Sequence, residues 1–305
     1  MIQSEKLLGN QSCTLTINLK DHNNNTISGT IYWKKSTDSS YSSTSGSTKT
    51  ITADKGTSIN YYVYYYASGK EYGTSSTYTW TASGNTTKTF KGAYTTSTET
   101  VYQMDSNFTK QGSPSITSDG IASGFDASNY IKSTVGGANI VNKDATWEAQ
   151  IKFKITSSGS SYQGGNSAVF GQSNSQYGYR GLNLDVNASN LLKVIQGYTS
   201  TYCNFQATIS TNTWYTVYCK FDASKSSSCY TVTCNNLSFT EKTNGKASHW
   251  STGTVYFGCK STNNIITPAK GAVIDLKECW IKQGGGYVMR FAYDTTAYSY
   301  YWTVS

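Results

Sequence analysis

Arginine and histidine are nearly absent from this chain: Arg180 and Arg290 are the two arginines and His22 and His249 the two histidines among 305 residues. Bidentate contacts to phosphate or guanine need the arginine fork. A net charge of +8 carried on singly scattered lysines therefore excludes nucleic acid as the expected partner and reads as a solvated surface. An acidic polysaccharide is the anionic surface it would meet. Each histidine stands apart from any Ser/Asp or metal-ligand pattern, so the sequence assigns no catalytic relay, no metal site and no cofactor. Gly-rich runs such as Gly284-Gly285-Gly286 lack a Lys-Ser/Thr and a following helix, which makes them turns and not phosphate loops. No apolar run approaches membrane-spanning length, and no membrane partner is expected. The opening Met1-Ile2-Gln3-Ser4-Glu5-Lys6 has no basic stretch leading into an apolar one, which points to synthesis and assembly in a cytosol. Seven cysteines form no CxxC pair. Cys219, Cys234 and Cys259 fall at inward-facing strand positions and read as structural thiols.

Proline is also scarce, at 2 residues, and no helix-period segment of useful length is present. Abundance lies elsewhere: 26 Tyr, 10 Phe, 7 Trp, many Thr and Ser, and 27 Gly for the turns. Aromatic and β-branched residues suit a pleated, half-buried surface. The fold class is all-β, with length enough for two cores. The organisation expected is an arm over 1–11, a small β-sandwich over 12–92, a polar Thr/Ser linker over 93–104, a larger sandwich over 105–290, and an aromatic segment over 291–305. That last segment is too rich in rings for a disordered tail, and is expected to pack as an extra strand or to dock on a neighbouring subunit of a homo-oligomer.

In the smaller region, alternating strands are expected at Cys13–Leu19, Ser28–Trp33, Lys49–Ala53, Thr57–Tyr66, Thr77–Thr81 and Thr87–Phe90, with an exposed loop from Ser36 to Ser47. The order of strand, Asp/Asn-rich turn, Ile27-Ser28-Gly29, strand, loop and Lys55-Gly56-Thr57 before an aromatic strand resembles Ig-like carboxypeptidase-regulatory or PEGA-type modules. In the run from Tyr61 to Tyr66, alternation puts Tyr62, Tyr64 and Tyr66 on one face and Tyr61, Val63 and Tyr65 on the other. One face must be core, and the other is a candidate sugar-stacking platform.

The larger region reads as about eleven strands, among them Trp214–Phe221, Tyr230–Cys234, Leu237–Phe239 and the closing Ala272–Lys282. The residues Phe125-Asp126-Ala127-Ser128-Asn129-Tyr130, Trp147 to Phe153, Arg180 to Leu184, Thr213 to Val217, Val255 to Gly258 and Ile274 to Glu278 occur in the order seen in concanavalin A-like (laminin-G-type) lectin/glucanase domains. The closing Ile274-Asp275-Leu276-Lys277-Glu278 resembles the version common in tail, fibre and capsid-associated proteins of phages. The resemblance implies a jelly-roll fold, a virion surface assembled in a host cytoplasm, and other virion proteins as partners. Capsid decoration, a head fibre and a tail-fibre adhesin are all compatible with it.

Enzymes on that fold set a nucleophile and an acid/base carboxylate close together on one strand face, spelled Glu-x-Asp-x-Glu. None of the 17 acidic residues here is so arranged. Asp275 and Glu278 are three apart, which strict alternation places on opposite faces. The expectation is therefore a non-enzymatic protein with no catalytic residues, a divergent glycoside hydrolase being the alternative. Sugar recognition needs aromatic rings beside amide or carboxylate groups. Tyr177, Tyr179, Arg180, Asn183 and Asp185 supply these within nine residues, and Trp250 sits in a polar loop, so these six are the candidate glycan-binding residues.

Overall fold

The structure, a computed structural model, describes residues 11–67, 70–157, 167–172, 180–196, 203–246, 248–262, 265–269 and 271–305. The regular structure of the described chain is almost entirely strand, and the chain divides into two compact units, 1–99 with 296–305, and 100–295.

The smaller unit contains β1 (Ser12–Lys20), β2 (Gly29–Lys35), β3 (Ser42–Gly46), β4 (Thr48–Asp54), β5 (Ser58–Ala67), β6 (Lys70–Thr74), β7 (Tyr78–Thr81) and most of β8 (Thr86–Tyr102). Alternation in β1 drives Cys13, Leu15, Ile17 and Leu19 inward, and β5 does the same with Ile59, Tyr61 and Val63. These side chains join Ile31 and Phe90 in one core. One sheet has the order β3-β2-β5-β6 with β7 also on β5, and β1 in the other pairs antiparallel with β4 and parallel with β8. The expected loop from Ser36 to Ser47 contains β3, which pairs with β2 from Gly29↔Gly46 to Trp33↔Ser42. Its Ser and Thr residues hide the strand because they are equally at home in turns.

The larger unit contains β9 (Phe108–Gln111), β10 (Ser115–Ile116), β11 (Ile121–Ser123), β12 (Tyr130–Gly136), the one-turn helix α1 (Gly137–Ile140), β13 (Trp147–Ile155), β14 (Ser167–Gln172), β15 (Arg180–Val186), β16 (Leu191–Gln196) and β17 (Cys203–Thr208). After them come β18 (Tyr215–Phe221), β19 (Tyr230–Cys234), β20 (Thr240–Asn244), β21 (Thr254–Phe257), β22 (Cys259–Thr262), β23 (Ile265–Pro268), β24 (Ala272–Gln283) and β25 (Gly286–Arg290). Two antiparallel sheets, β10-β11-β24-β13-β18-β19 and β20-β17-β16-β15-β14-β21-β12-β9, face each other across a single core in a jelly-roll type of sandwich. The strand expected at Leu237–Phe239 lies a few residues later, at β20, because Asn236 takes a positive φ of 61° and turns the chain there.

Two expectations are corrected. The segment 93–104, where the boundary between the two units falls, is strand for most of its length: β8 runs through it to Tyr102 and pairs with β26 (Ala292–Val304). Thr89 and Ser305 exchange backbone bonds at 3.0 and 3.1 Å in the smaller unit, and Gln103 N–H donates to Phe291 O at 3.0 Å in the larger. A Thr/Val/Tyr-rich stretch makes a strand as readily as a linker once a partner strand is beside it.

The second correction concerns β24. Gln150 pairs with Trp280 and Lys152 with Asp275, so two steps along β13 oppose five along β24. This bulge buries Ile274, Leu276, Cys279 and Ile281 together and turns Asp275, Glu278 and Trp280 the other way. Asp275 contacts Lys152 at 3.0 Å, and Glu278 Oε2 accepts from Gln150 Nε2 at 3.1 Å, so both carboxylates lie on the outer face of this sheet. Strict alternation had separated them.

Phe257 lies at 0% exposure with its ring 5.7 Å from Phe108, 4.9 Å from Phe170 and 5.2 Å from Phe291. Phe257→Ala is expected to cost the larger unit about 3–5 kcal/mol in urea unfolding of the full chain. A loss under about 1 kcal/mol would place the ring outside the principal core.

Candidate functional site

Of the residues expected to bind glycan, Tyr177 and Tyr179 lie outside the described residues, and Arg180 opens β15. The structure corrects the exposed placement of the other three. Asn183 and Asp185 are 0% exposed and Trp250 is 3% exposed. Gly171 makes room for Asn183, since a Cβ there would stand 2.4 Å from its Oδ1. Asp185 is not a free surface carboxylate: its Oδ2 meets Lys260 Nζ at 2.8 Å, both side chains being buried where β22 packs on β14.

Trp250 is held inside by polar groups. Gln196 accepts from His249 N–H at 3.0 Å and donates to His249 O at 2.8 Å. Gln172 accepts from Ser251 N–H at 3.2 Å and donates to the Ser251 and Gly253 carbonyls at 2.7 Å each. Two side-chain amides thus pair with the backbone on either side of Trp250 as strand neighbours would. The indole then stands edge-on to Trp147 at 5.6 Å, and Trp147 Nε1 donates to Ser248 Oγ at 2.9 Å. Sequence reading missed both glutamines, because only the fold shows that β14 and β16 end beside this loop.

Other reactive groups of the larger unit are held or masked by burial. Glu148 accepts from the Tyr218 hydroxyl at 2.6 Å, and burial together with that bond pushes the phenol up to about 12. All seven cysteines are free, and burial raises the thiols of Cys203, Cys259 and Cys279 well above their ordinary range. Such thiols are poor nucleophiles.

An open aromatic surface lies in the smaller unit, on the face of β2 and β5 turned away from the core. Thr30, Ile31, Tyr32 and Trp33 pair with Tyr64, Val63, Tyr62 and Tyr61. Tyr32 and Tyr62 therefore stand side by side, stacked at 4.6 Å and 10°, with the Tyr41 ring edge-on at 4.9 Å. Lys34 Nζ covers the Tyr41 ring at 4.9 Å. Beyond them Tyr64 has no aromatic neighbour among the described residues, and Tyr66 is 63% exposed. Ser75 ties the next segment alongside: its N–H donates to Val63 O at 2.9 Å and its hydroxyl accepts from Val63 N–H at 3.1 Å. The result is a groove of about 380 Å³ lined by Tyr32, Tyr62, Tyr64, Thr74 and Thr77. Burial, with Tyr32 and Tyr41 beside it, raises the Tyr62 phenol, so its hydroxyl remains a neutral donor at physiological pH. The alternation from Tyr61 to Tyr66 was legible in the sequence; which of its two faces is open was not.

No family model and no curated protein matches the sequence. Among solved structures, the catalytic domain of a glycoside hydrolase family 131 protein from Coprinopsis cinerea is similar at 10% identity and a TM-score of 0.31, over 60% of this chain and 85% of that one. The Ca²⁺/Man-bound exoplasmic/lumenal domain of VIP36 is similar at 9% identity and a TM-score of 0.31, over 63% and 90%. Winged bean acidic lectin complexed with methyl-α-D-galactose is similar at 9% identity and a TM-score of 0.32, over 69% and 100%.

Trp250→Ala is expected to act on stability, lowering it by about 3–5 kcal/mol in chemical denaturation. An unchanged transition would return the indole to the surface.

Proposed function

We propose that this protein is a non-catalytic, glycan-binding component of a phage virion surface, and that the tyrosine groove of the smaller unit holds the glycan. The observation that carries the binding reading is the groove: rings on a rigid sheet, with hydroxyl groups around them and nothing of the core covering them. A pyranose presents a C–H face that stacks on a tyrosine ring and a rim of hydroxyls that exchange hydrogen bonds with Thr and Tyr. Many weak sites on one particle would multiply such an affinity.

The virion setting is supported by the resemblance of residues 120–282. The non-catalytic reading is supported by the state of the outer-face carboxylates. Asp275 is held by Lys152 with only 12% of its side chain exposed, and Glu278 is bonded by Gln150. A hydrolase needs one carboxylate free to attack or to activate water and a second to protonate the leaving group.

The 305-residue chain is expected to bind glycans on a glycan array. Tyr64→Ala should weaken that binding roughly tenfold, about 1.4 kcal/mol, with the unfolding midpoint unchanged. Binding that survives both Tyr62→Ala and Tyr64→Ala would remove the site. Mass spectrometry of gradient-purified particles should find the chain at high copy number, and its absence there would end the virion reading. Release of reducing ends from a polysaccharide would overturn the non-catalytic one.

A further inference from the structure

The groove does not end at Tyr64. A second hollow of about 150 Å³ adjoins it, lined by Ser28, Gly29, Thr30, Ser45, Tyr64, Tyr65 and Tyr66, so Tyr64 is a wall common to both. Tyr62, Tyr64 and Tyr66 are alternate residues of β5, which spaces them about 7 Å apart along the strand. The three rings differ in what occupies them. Tyr62 is already stacked on Tyr32, whereas neither Tyr64 nor Tyr66 makes a ring contact among the described residues. Tyr66, at 63%, is the most exposed of the large hydrophobic side chains described. Gly29, in the lining of the second hollow, lets β2 lie close to β5, because a Cβ there would stand 2.7 Å from the Tyr64 carbonyl oxygen and 2.9 Å from Leu19 Cδ1 in the core.

We propose that the second hollow is a second sugar subsite, and that the ligand is an internal run of a neutral polysaccharide lying along β5, not a terminal sugar. This rests on the glycan reading of the groove and adds chain length and charge class to it. Length follows from two hollows joined through one ring, with Tyr66 continuing the row beyond Tyr64. Neutrality follows from the linings, which offer ring faces and the hydroxyls of Ser28, Thr30, Ser45, Thr74 and Thr77 and, among the described residues, no charged side chain. The nearby ammonium of Lys34 is taken up by the Tyr41 ring and by the Asp38 carbonyl at 2.9 Å.

Titration calorimetry of the full chain with cellohexaose, mannohexaose and maltohexaose, each against its own monosaccharide, tests the proposal, with polygalacturonate as the acidic comparison. At least one neutral hexasaccharide is expected to bind about tenfold or more tighter than its monosaccharide. Tyr66→Ala should abolish that gain and leave monosaccharide binding as it was, while Tyr62→Ala weakens both. A hexasaccharide no tighter than its monosaccharide, an unchanged hexasaccharide affinity in Tyr66→Ala, or preferential binding of polygalacturonate would overturn the second subsite and leave the groove standing. No measurable binding of any neutral sugar, or neutral binding indifferent to Tyr62→Ala and Tyr64→Ala, would overturn the groove itself.

Discussion

A residue present in one strand and missing from its neighbour turns over every side chain that follows it. In this protein that happens in β24, between Leu276 and Cys279, where β13 supplies fewer residues than β24. Were the alternation unbroken, Cys279 and Ile281 would point outward while Trp280 entered the core. With the bulge, Ile274, Leu276, Cys279 and Ile281 all reach the core, and Trp280 stays outside beside Tyr218. The central strand pair of the larger sandwich depends on this irregularity, since β24 lies between β13 and β11. It also decides the chemistry, by bringing Asp275 and Glu278 to one surface and handing each to a different side chain of β13.

The polar interior of the larger unit obeys a second constraint. A buried backbone group left unpaired costs about 1–3 kcal/mol, and backbone N–H groups elsewhere reach the loop at 248–253 at its carbonyls, from Gly181 to His249, from Ala138 to Ser251 and from Gly137 to Gly253. Gln172 and Gln196 add to this pairing, each accepting from one N–H and donating to at least one carbonyl of the loop. Their amides let the indole of Trp250 sit at 3% exposure with the backbone of His249 and Ser251 on either side of it hydrogen-bonded. The Asp185–Lys260 pair is the ionic counterpart: two buried charges tolerated because they meet at 2.8 Å. Breaking such a pair from one side is costly, while keeping it adds little net stability. Its role here is to fix β22 against the sheet.

The tyrosines of the smaller unit show the opposite balance. Tyr61 is 2% exposed in the core and Tyr62 is its immediate neighbour in the chain, yet the two have unrelated surroundings because they lie on opposite faces. The outward row lies on the face of β5 turned away from the core and is flanked by side-chain hydroxyls on β2, β3 and the segment after β6. A row of rings in that position contributes little to folding and presents a surface suited to stacking.

Composition and period alone settled the all-β class, most strands of both units, and the alternation along β1 and β5, because alternating side chains leave a local imprint on the chain. The two faces of β5 were separable for the same reason. Other features are long-range and left no such imprint. The bulge in β24 exists only relative to β13, the strand through 93–102 only relative to β26, and the burial of Asn183, Asp185 and Trp250 only once β22 and two glutamines lie against them. Whether a ring is core or platform likewise depends on what the fold lays over it, and no other ring among the described residues lies against Tyr64 or Tyr66.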